Sequence, residues 1–224
     1  MSNGKRVVLA LLCAVMCGRG LKAQMPAVMD LRERSEVVNA WLDARLTDVL
    51  PEIMRREKID MWLVICREYN EDPVFPSLVP APTMAARRLT MLVFYDRGEE
   101  GIERLTVSKY GISGYYEKAW EEDEGSQWQA LKKVIEERDP KRIGINEGLT
   151  FAFGDGLSAA LKEKLMESIG PKYRGRLCSA EKLAVGWLEK RHPQELETYS
   201  HIVSIAHTII EEAFSSRVVT PGVT

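Results

Sequence analysis

The sequence predicts a three-layer α/β domain in which helices cover both faces of a mixed sheet. Three observations support this fold class. Short apolar runs of strand length alternate along the chain with stretches of helical periodicity. The run MWLVIC at 61–66 is apolar throughout, as in a strand that is covered on both faces. The link at 97–104 is short enough for a hairpin, which introduces an antiparallel pair.

The first 23 residues have the pattern of a secretory signal peptide. Lys5 and Arg6 precede an apolar stretch at 7–17, and Ala23 offers a cleavage site before Gln24. The apolar stretch is too short to span a membrane, and the alternative is a buried N-terminal helix. We therefore expect a periplasmic or secreted protein whose mature chain begins at residue 24.

The mature chain has a net negative charge. Four of the 31 basic residues and none of the 33 acidic ones lie in the first 23 positions, which leaves 27 basic residues and a net charge of −6. Nucleic acids and anionic membranes select a positive surface, so neither is an expected partner. Cys66 and Cys178 remain in strand-like runs, where buried thiols are favoured over a disulfide, although the compartment permits one.

The expected helices and strands lie in the domain at 24–188, apart from one helix in the segment that follows it. Ser35 is the expected N-cap of a first helix, and Pro51 predicts that this helix ends or that another begins there. A later helix is expected to start from a cap at Asp155 or Ser158 and to end at Gly170. The remaining expected strands lie at 61–66, 89–96, 104–108, 142–146 and 176–178, and the remaining helices at 52–58, 127–138, 180–188 and 193–214.

A boundary is expected at 189–193, where Arg191, His192 and Pro193 interrupt two helical patterns. The segment 189–224 then consists of a linker and one long amphipathic helix. Its apolar positions form a stripe that requires a covering layer.

One polar run stands out as a candidate for substrate contact. The segment REYNED at 67–72 directly follows the first strand, and loops at strand ends are where α/β domains place binding groups. The alternative is a solvated loop that prolines hold in shape. Arg87 and Arg88 are expected to form ion pairs with these acids more often than to bind a substrate carboxylate. The candidate substrate-contacting residues are Arg67, Glu68, Tyr69, Asn70 and Asp72.

Other polar clusters have simpler interpretations. The acidic run at 121–124 is expected to be a solvated loop, because consecutive acids point in different directions. His201 and His207 are six residues apart and lie on different helix faces, so a metal site is not expected. The sequence contains no Gly-x-Ser-x-Gly, Walker or Gly-x-Gly-x-x-Gly motif. Residue patterns alone therefore define no active site, and no catalytic or metal-binding residue is assigned.

The end of the chain resembles the start of the catalytic domain of the pita-bread metallopeptidases. The segment RHPQELETYSHIVSIAHTIIEEAF at 191–214, with Glu195 at its acidic start, is similar to their linker helix, and PGVT at 221–224 follows it. The stretch 31–184 resembles their creatinase-like N-terminal domain. This family contains Xaa-Pro aminopeptidases, prolidases and creatinase.

The resemblance implies a function for the chain. In the family the N-terminal domain shapes the cleft for a peptide substrate and reaches across a homodimer, and 67–72 would be the part that does so here. Two divalent metals (Mn, Co or Zn) are implied for the full-length parent, and their five ligands match nothing in this chain. We therefore expect a catalytically incomplete chain, truncated at the start of the catalytic domain.

Two qualifications follow from the residues themselves. The family commonly has an Asn-x-x-Tyr-x-Thr-Gly-like segment after the first strand, and REYNEDP at 67–73 stands in its place. This departure indicates a distinct secreted subgroup and leaves proline specificity open. The alternative function is a stand-alone, non-enzymatic binding or dimerisation module of the same fold.

Overall fold

The computed structural model describes residues 27–112 and 114–223. The predicted signal peptide at 1–23 lies outside the described residues. The described chain divides into two compact units, the larger being Asp30–Glu195 and the smaller comprising 27–29 and 196–223. Among the described residues, no helix has the length and apolarity needed to cross a bilayer.

The larger unit contains a six-stranded mixed sheet with the order β4-β3-β2-β1-β5-β6. β1 pairs antiparallel with β2, and β2 pairs antiparallel with β3, which confirms the predicted hairpin. The pairs β1–β5, β5–β6 and β3–β4 are parallel. The strands are β1 (Met61–Arg67), β2 (Leu89–Asp96), β3 (Ile102–Thr106), β4 (Glu117–Lys118), β5 (Ile143–Ile145) and β6 (Leu177–Ser179).

Six α-helices accompany the sheet in the described part of the chain. A π-helical segment, Arg45–Val49, joins the first two of them without a break. The helices are α1 (Leu31–Ala44), α2 (Leu50–Arg56), α3 (Gln127–Arg138), α4 (Ala159–Arg174), α5 (Glu181–Glu189) and α6 (Pro193–Ala213).

The ends of three helices test the expected caps. Asp30, and not Ser35, is the N-cap of α1, where it forms a capping box with Glu33. Ser158 caps α4 through the amide of Leu161. Gly170 has non-helical backbone angles (φ 76°, ψ 170°), so the regular helix ends there as expected. One further helical turn follows the kink, up to Arg174. Pro51 lies in the first turn of α2, where its missing N–H costs nothing.

Two hydrophobic cores lie on opposite faces of the sheet. Alternation along β1 sends Trp62 and Val64 to one face and Leu63 and Ile65 to the other. The first core includes buried residues of α1, α2 and α5, and the second includes buried residues of α3 and α4. Full burial of each such large apolar side chain stabilises the fold by about 1.5–3 kcal/mol. The three-layer α/β architecture predicted from the sequence is therefore confirmed.

The helix α6 has a different environment. None of its residues is buried, and the expected apolar stripe is exposed at Tyr199, Ile202, Val203, Ile209 and Ile210. At the start of α6, Glu195 accepts hydrogen bonds from Arg45 Nη1 (2.9 Å) and from the backbone N–H of His192 (2.6 Å). Glu195 thus satisfies the backbone amide of the residue that precedes the helix and pairs with a buried cation.

Candidate functional site at the ends of β1 and β5

The candidate site lies at one edge of the sheet, where the parallel strands β1 and β5 both end. The chain leaving β1 contributes Phe75 and Leu78 to the core under α1 and α2. The chain leaving β5 leads to Leu157 and Leu161 in the opposite core. Parallel neighbours whose connections leave to opposite faces form a crevice at their carboxyl ends, which is where open α/β sheets bind ligands.

The loop after β1 begins with a tight turn. The amide of Arg67 donates to Asn70 O (3.3 Å), and the amide of Asn70 donates back to Arg67 O (3.0 Å). Tyr69 lies within this turn at φ 67°, in the left-handed region, and 93% of its surface is exposed. A left-handed conformation costs a residue other than glycine about 1–2 kcal/mol. The turn therefore presents an aromatic side chain to solvent at an energetic cost.

The same loop is anchored by a buried hydrogen-bond network. Asp72 is fully buried, and its Oδ1 accepts from the amide of Val74 (2.9 Å) while its Oδ2 accepts from Asn146 Nδ2 (2.8 Å). Asn146 Oδ1 accepts from Trp62 Nε1 (2.7 Å). Because an indole nitrogen only donates, the amide oxygen of Asn146 must face Trp62 and its NH₂ group must face the carboxylate.

The network has two further close neighbours. A Cβ atom added to Gly156 would lie 2.2 Å from Asp72 Cγ, so the backbone of the loop after β5 packs directly on the carboxylate. Burial raises the pKa of the Asp72 carboxyl, and the nearby Asp155 carboxylate acts in the same direction. Burial also raises the pKa of the Cys66 thiol to about 12, which keeps this thiol protonated at neutral pH. Cys66 and Cys178 are both free.

Glu68 connects the turn to the segment before β2. Its Oε2 accepts from the amide of Arg88 (3.2 Å), and its own amide donates to Arg88 O (2.8 Å). Its Oε1 lies 3.9 Å from Arg87 Nε, so the expected ion pair is present at long range. The segment before β2 therefore supports the loop mainly through backbone contacts.

The five candidate residues have different environments. Arg67, Tyr69 and Asn70 are exposed, Glu68 is half-buried and Asp72 is buried. The exposed three are available to a ligand. Asp72 is buried, and its carboxylate oxygens accept hydrogen bonds from the amide of Val74 and from Asn146. These contacts hold the loop.

Sequence reasoning missed the residues that position this loop. Asn146 is the last residue of the expected strand at 142–146, and Gly156 lies between the two expected caps, Asp155 and Ser158. The available signal was one amide side chain directly after an apolar strand, followed by a Gly-Asp-Gly segment at 154–156. Nothing in that pattern identifies Asp72 and Trp62 as the partners of Asn146.

Two histidines and two acids of the run at 121–124 have local partners. His192 Nε2 lies 3.2 Å from Asp48 Oδ2, and His201 Nε2 lies 2.8 Å from Ala27 O. In the acidic run at 121–124, Glu121 pairs with Lys118 and Glu122 pairs with Lys109. Within 27–112 and 114–223, no group of three or more His, Cys, Asp or Glu residues is placed to hold a metal ion.

A comparison with solved structures finds a weak similarity. A solved structure titled Xaa-Pro dipeptidase from Bacillus anthracis is 13% identical to this chain, with a TM-score of 0.49. The match covers 87% of this chain and 45% of that one, so the chain spans less than half the length of the dipeptidase. No protein-family model matches the sequence. A comparison with curated proteins also finds no match.

Proposed function

We propose that this chain is the N-terminal part of a metal-dependent Xaa-Pro-type aminopeptidase, in which it shapes the substrate cleft and contributes to a homodimer. The proposal includes a periplasmic or secreted location and a peptide substrate. The two divalent metals (Mn, Co or Zn) belong to the parent enzyme. The described residues of this chain do not fit a metal pair, since they contain no cluster of three ligands, and no catalytic step is assigned to them.

The observation that carries the proposal is the exposed Tyr69 on an anchored turn. A tyrosine at φ 67° and 93% exposure gains little from packing and carries backbone strain. Strained residues persist where the surrounding structure holds them, and here the buried Asp72–Asn146 hydrogen bond does so. Such an arrangement is typical of a contact residue that is held in position before its ligand arrives.

The side chains of the turn suit the edge of a peptide cleft. The ring of Tyr69 offers an apolar face for a proline ring, and its hydroxyl group remains available for a hydrogen bond. Arg67 and Asn70 are exposed on either side of it and can bind a carboxylate or a backbone carbonyl. These residues would bind and orient the substrate, while the chemistry belongs to the parent enzyme.

The first experiment measures peptide hydrolysis by the parent enzyme, expressed from the whole reading frame with Mn²⁺. Tyr69→Ala should raise KM for an Xaa-Pro dipeptide about 10-fold with a smaller change in kcat, as expected for lost binding contacts. Leu31→Ala is the matched control, because Leu31 is also exposed (75%) but lies on α1. Equal kinetics for both variants would contradict the assigned role of the turn.

A second experiment tests whether the 224-residue chain alone hydrolyses peptides. The purified 224-residue chain, incubated with Mn²⁺ and proline-containing peptides, should show no turnover above buffer. Clear turnover that follows the protein through purification would refute the proposed incompleteness.

The alternative proposal is a stand-alone binding or dimerisation module. It is favoured by the larger unit, which has its own sheet and a core on each face. The DNA beyond codon 224 distinguishes the two proposals. An open frame that encodes two Asp, one His and two Glu in the family pattern supports the peptidase, and a stop codon supports the module.

A further inference from the structure

A second recess opens at the same edge of the sheet, on the side of β2 and β3. It is a groove of about 450 Å³ between the segment before β2 and the segment after β3. Its apolar wall is formed by Phe75, Met84 and Ile112, and its rim by Arg87 and Tyr110. We call this recess the Arg87 groove. Its volume lies within the range of small-molecule sites.

The rim of the groove concentrates positive charge. The guanidinium of Arg87 lies 5.1 Å from the centre of the Tyr110 ring, and Lys109 Nζ lies 5.9 Å from the same ring. Glu122 raises the pKa of Lys109 through a hydrogen bond and charge attraction, while the adjacent Arg88 acts in the opposite direction. Arg88 also has a left-handed backbone at φ 58°. Arg87 thus lines the groove itself, with Lys109 and Arg88 close beside its rim.

Nearby carboxylates compensate this charge only in part. Glu122 pairs with Lys109 at 2.8 Å, whereas Glu68 lies 3.9 Å from Arg87 Nε and accepts from the backbone of Arg88. Among the described residues, Glu68 is the acid that forms an ion pair with Arg87, and it does so at long range. The guanidinium of Arg87 therefore has donors available for a further acceptor.

We propose that the Arg87 groove binds apolar amino acids or peptides through a free α-carboxylate. The planar guanidinium matches a carboxylate in two parallel hydrogen bonds, and its cation–π contact with Tyr110 favours its position over the ring. An apolar side chain then contacts Met84, which is 91% exposed and adapts to irregular shapes. The inference stands without the proposed function, because it uses no residue of the turn at 67–70 as a ligand contact.

The test is an NMR titration of the ¹⁵N-labelled 224-residue chain with N-acetyl-leucine. We expect saturable shifts at the amides of Met84, Arg87 and Gly111, with a Kd on the order of 1 mM. N-acetyl-leucinamide is the matched ligand control, because it lacks only the carboxylate charge, and it should bind at least 10-fold more weakly. Inorganic phosphate should also bind at least 10-fold more weakly, since it lacks the apolar group.

Two variants locate the site. Arg87→Gln should weaken binding of N-acetyl-leucine at least 10-fold, and the fold should persist because Thr90 Oγ1 bonds the backbone of residue 87. Met84→Ala should weaken binding several-fold at an exposed position. Arg97→Gln is the control, because Arg97 lies in the turn between β2 and β3 at the opposite edge.

Three results would overturn the proposal. Equal binding of the acid and the amide would exclude carboxylate recognition. Equal binding of phosphate would leave only a general anion site. Unchanged affinity in both Arg87→Gln and Met84→Ala would place the ligand elsewhere.

Discussion

The loops that follow β1 and β5 leave the sheet side by side, yet they differ in how many polar residues they contain and in how deeply those residues are buried. The loop after β1 is densely polar at 67–72, and most of that polarity faces solvent. The loop after β5 contributes one amide, Asn146, and one glycine, Gly156, to the buried interior. The comparison shows that polar density marks the exposed part of a site, whereas a few buried contacts from a distant segment hold it in place.

The largest expected effect comes from removing the amide that joins the two loops. Asn146→Ala leaves the Trp62 indole N–H and one oxygen of the buried Asp72 carboxylate without partners. Unsatisfied buried polar groups of this kind cost about 3 kcal/mol in total. Urea denaturation should therefore show a free energy of unfolding lower by that amount.

The matched control for this variant is Asn70→Ala, which removes an exposed amide from the turn itself. Its free energy of unfolding should lie within about 0.5 kcal/mol of the wild type. Equal losses in the free energy of unfolding for the two variants would mean that the buried connection between the loops does not stabilise the fold more than an exposed amide does.

The next effect concerns the close approach of backbone and carboxylate. Gly156→Ala would place a Cβ atom 2.2 Å from Asp72 Cγ, and relief of this overlap should cost about 2 kcal/mol. Adding Asp72→Ala removes the obstacle, so the double variant should be more stable than the sum of the single changes by at least about 1 kcal/mol. Thermal or urea unfolding of the four proteins measures this coupling.

Gly175→Ala serves as the control for that cycle. A Cβ atom there meets nothing closer than 3.9 Å, so its cost should stay near that of an ordinary surface change. Additive costs for Gly156→Ala and Asp72→Ala would show that the glycine is not required by the carboxylate.

The two loops also show what the sequence can and cannot reveal. The run at 61–66 predicts a strand covered on both faces because its apolar pattern is local. The strand Leu89–Asp96 and the helix Gln127–Arg138 have the bounds predicted from the sequence. The bond from Asn146 to Asp72 joins residues 74 positions apart, and no local pattern encodes it. Burial of Asp72 depends on the same tertiary contact. Because that contact cannot be recognised in the sequence, Asp72 was expected to be exposed like the rest of the polar run.

A smaller effect is the pH dependence of the buried connection. The folded state raises the Asp72 pKa above its ordinary value of 3.8, so it binds this proton at a higher pH than the unfolded chain does. Stability from this group is therefore gained as pH falls towards 4 and lost as pH rises through the folded-state pKa. The free energy of unfolding of wild type minus that of Asp72→Ala should increase on acidification.

The subtraction in that experiment removes the contribution of acids whose pKa is shifted downwards. Hydrogen bonds from Arg55 and Arg138 lower the pKa values of Asp96 and Glu103, so the stability that these two acids contribute is lost as pH falls through their folded-state pKa values. These groups are shared by both proteins and cancel in the difference. A difference that is flat or that decreases on acidification would contradict the assignment to Asp72.

The smallest expected effect lies in the turn itself. Tyr69→Gly relieves the left-handed strain at φ 67° but makes the unfolded chain more flexible, so the free energy of unfolding should rise by at most about 1 kcal/mol. Denaturation midpoints measure the change, with Tyr69→Ala as the control that keeps the strain. A comparable loss of stability in both Tyr69→Gly and Tyr69→Ala would mean that the ring packs against the fold, because both variants remove it.

Hydrogen exchange tests most directly whether Asn146 holds the loop after β1. The amides of Val74 and Asn70, which bond Asp72 Oδ1 and Arg67 O, report on that loop. The amide of Gly101, which bonds Gly98 O at the opposite edge, is the internal control. In Asn146→Ala, exchange at Val74 and Asn70 should accelerate at least 10-fold while Gly101 stays unchanged. Equal acceleration at all three amides, or none at Val74 and Asn70, would contradict the account.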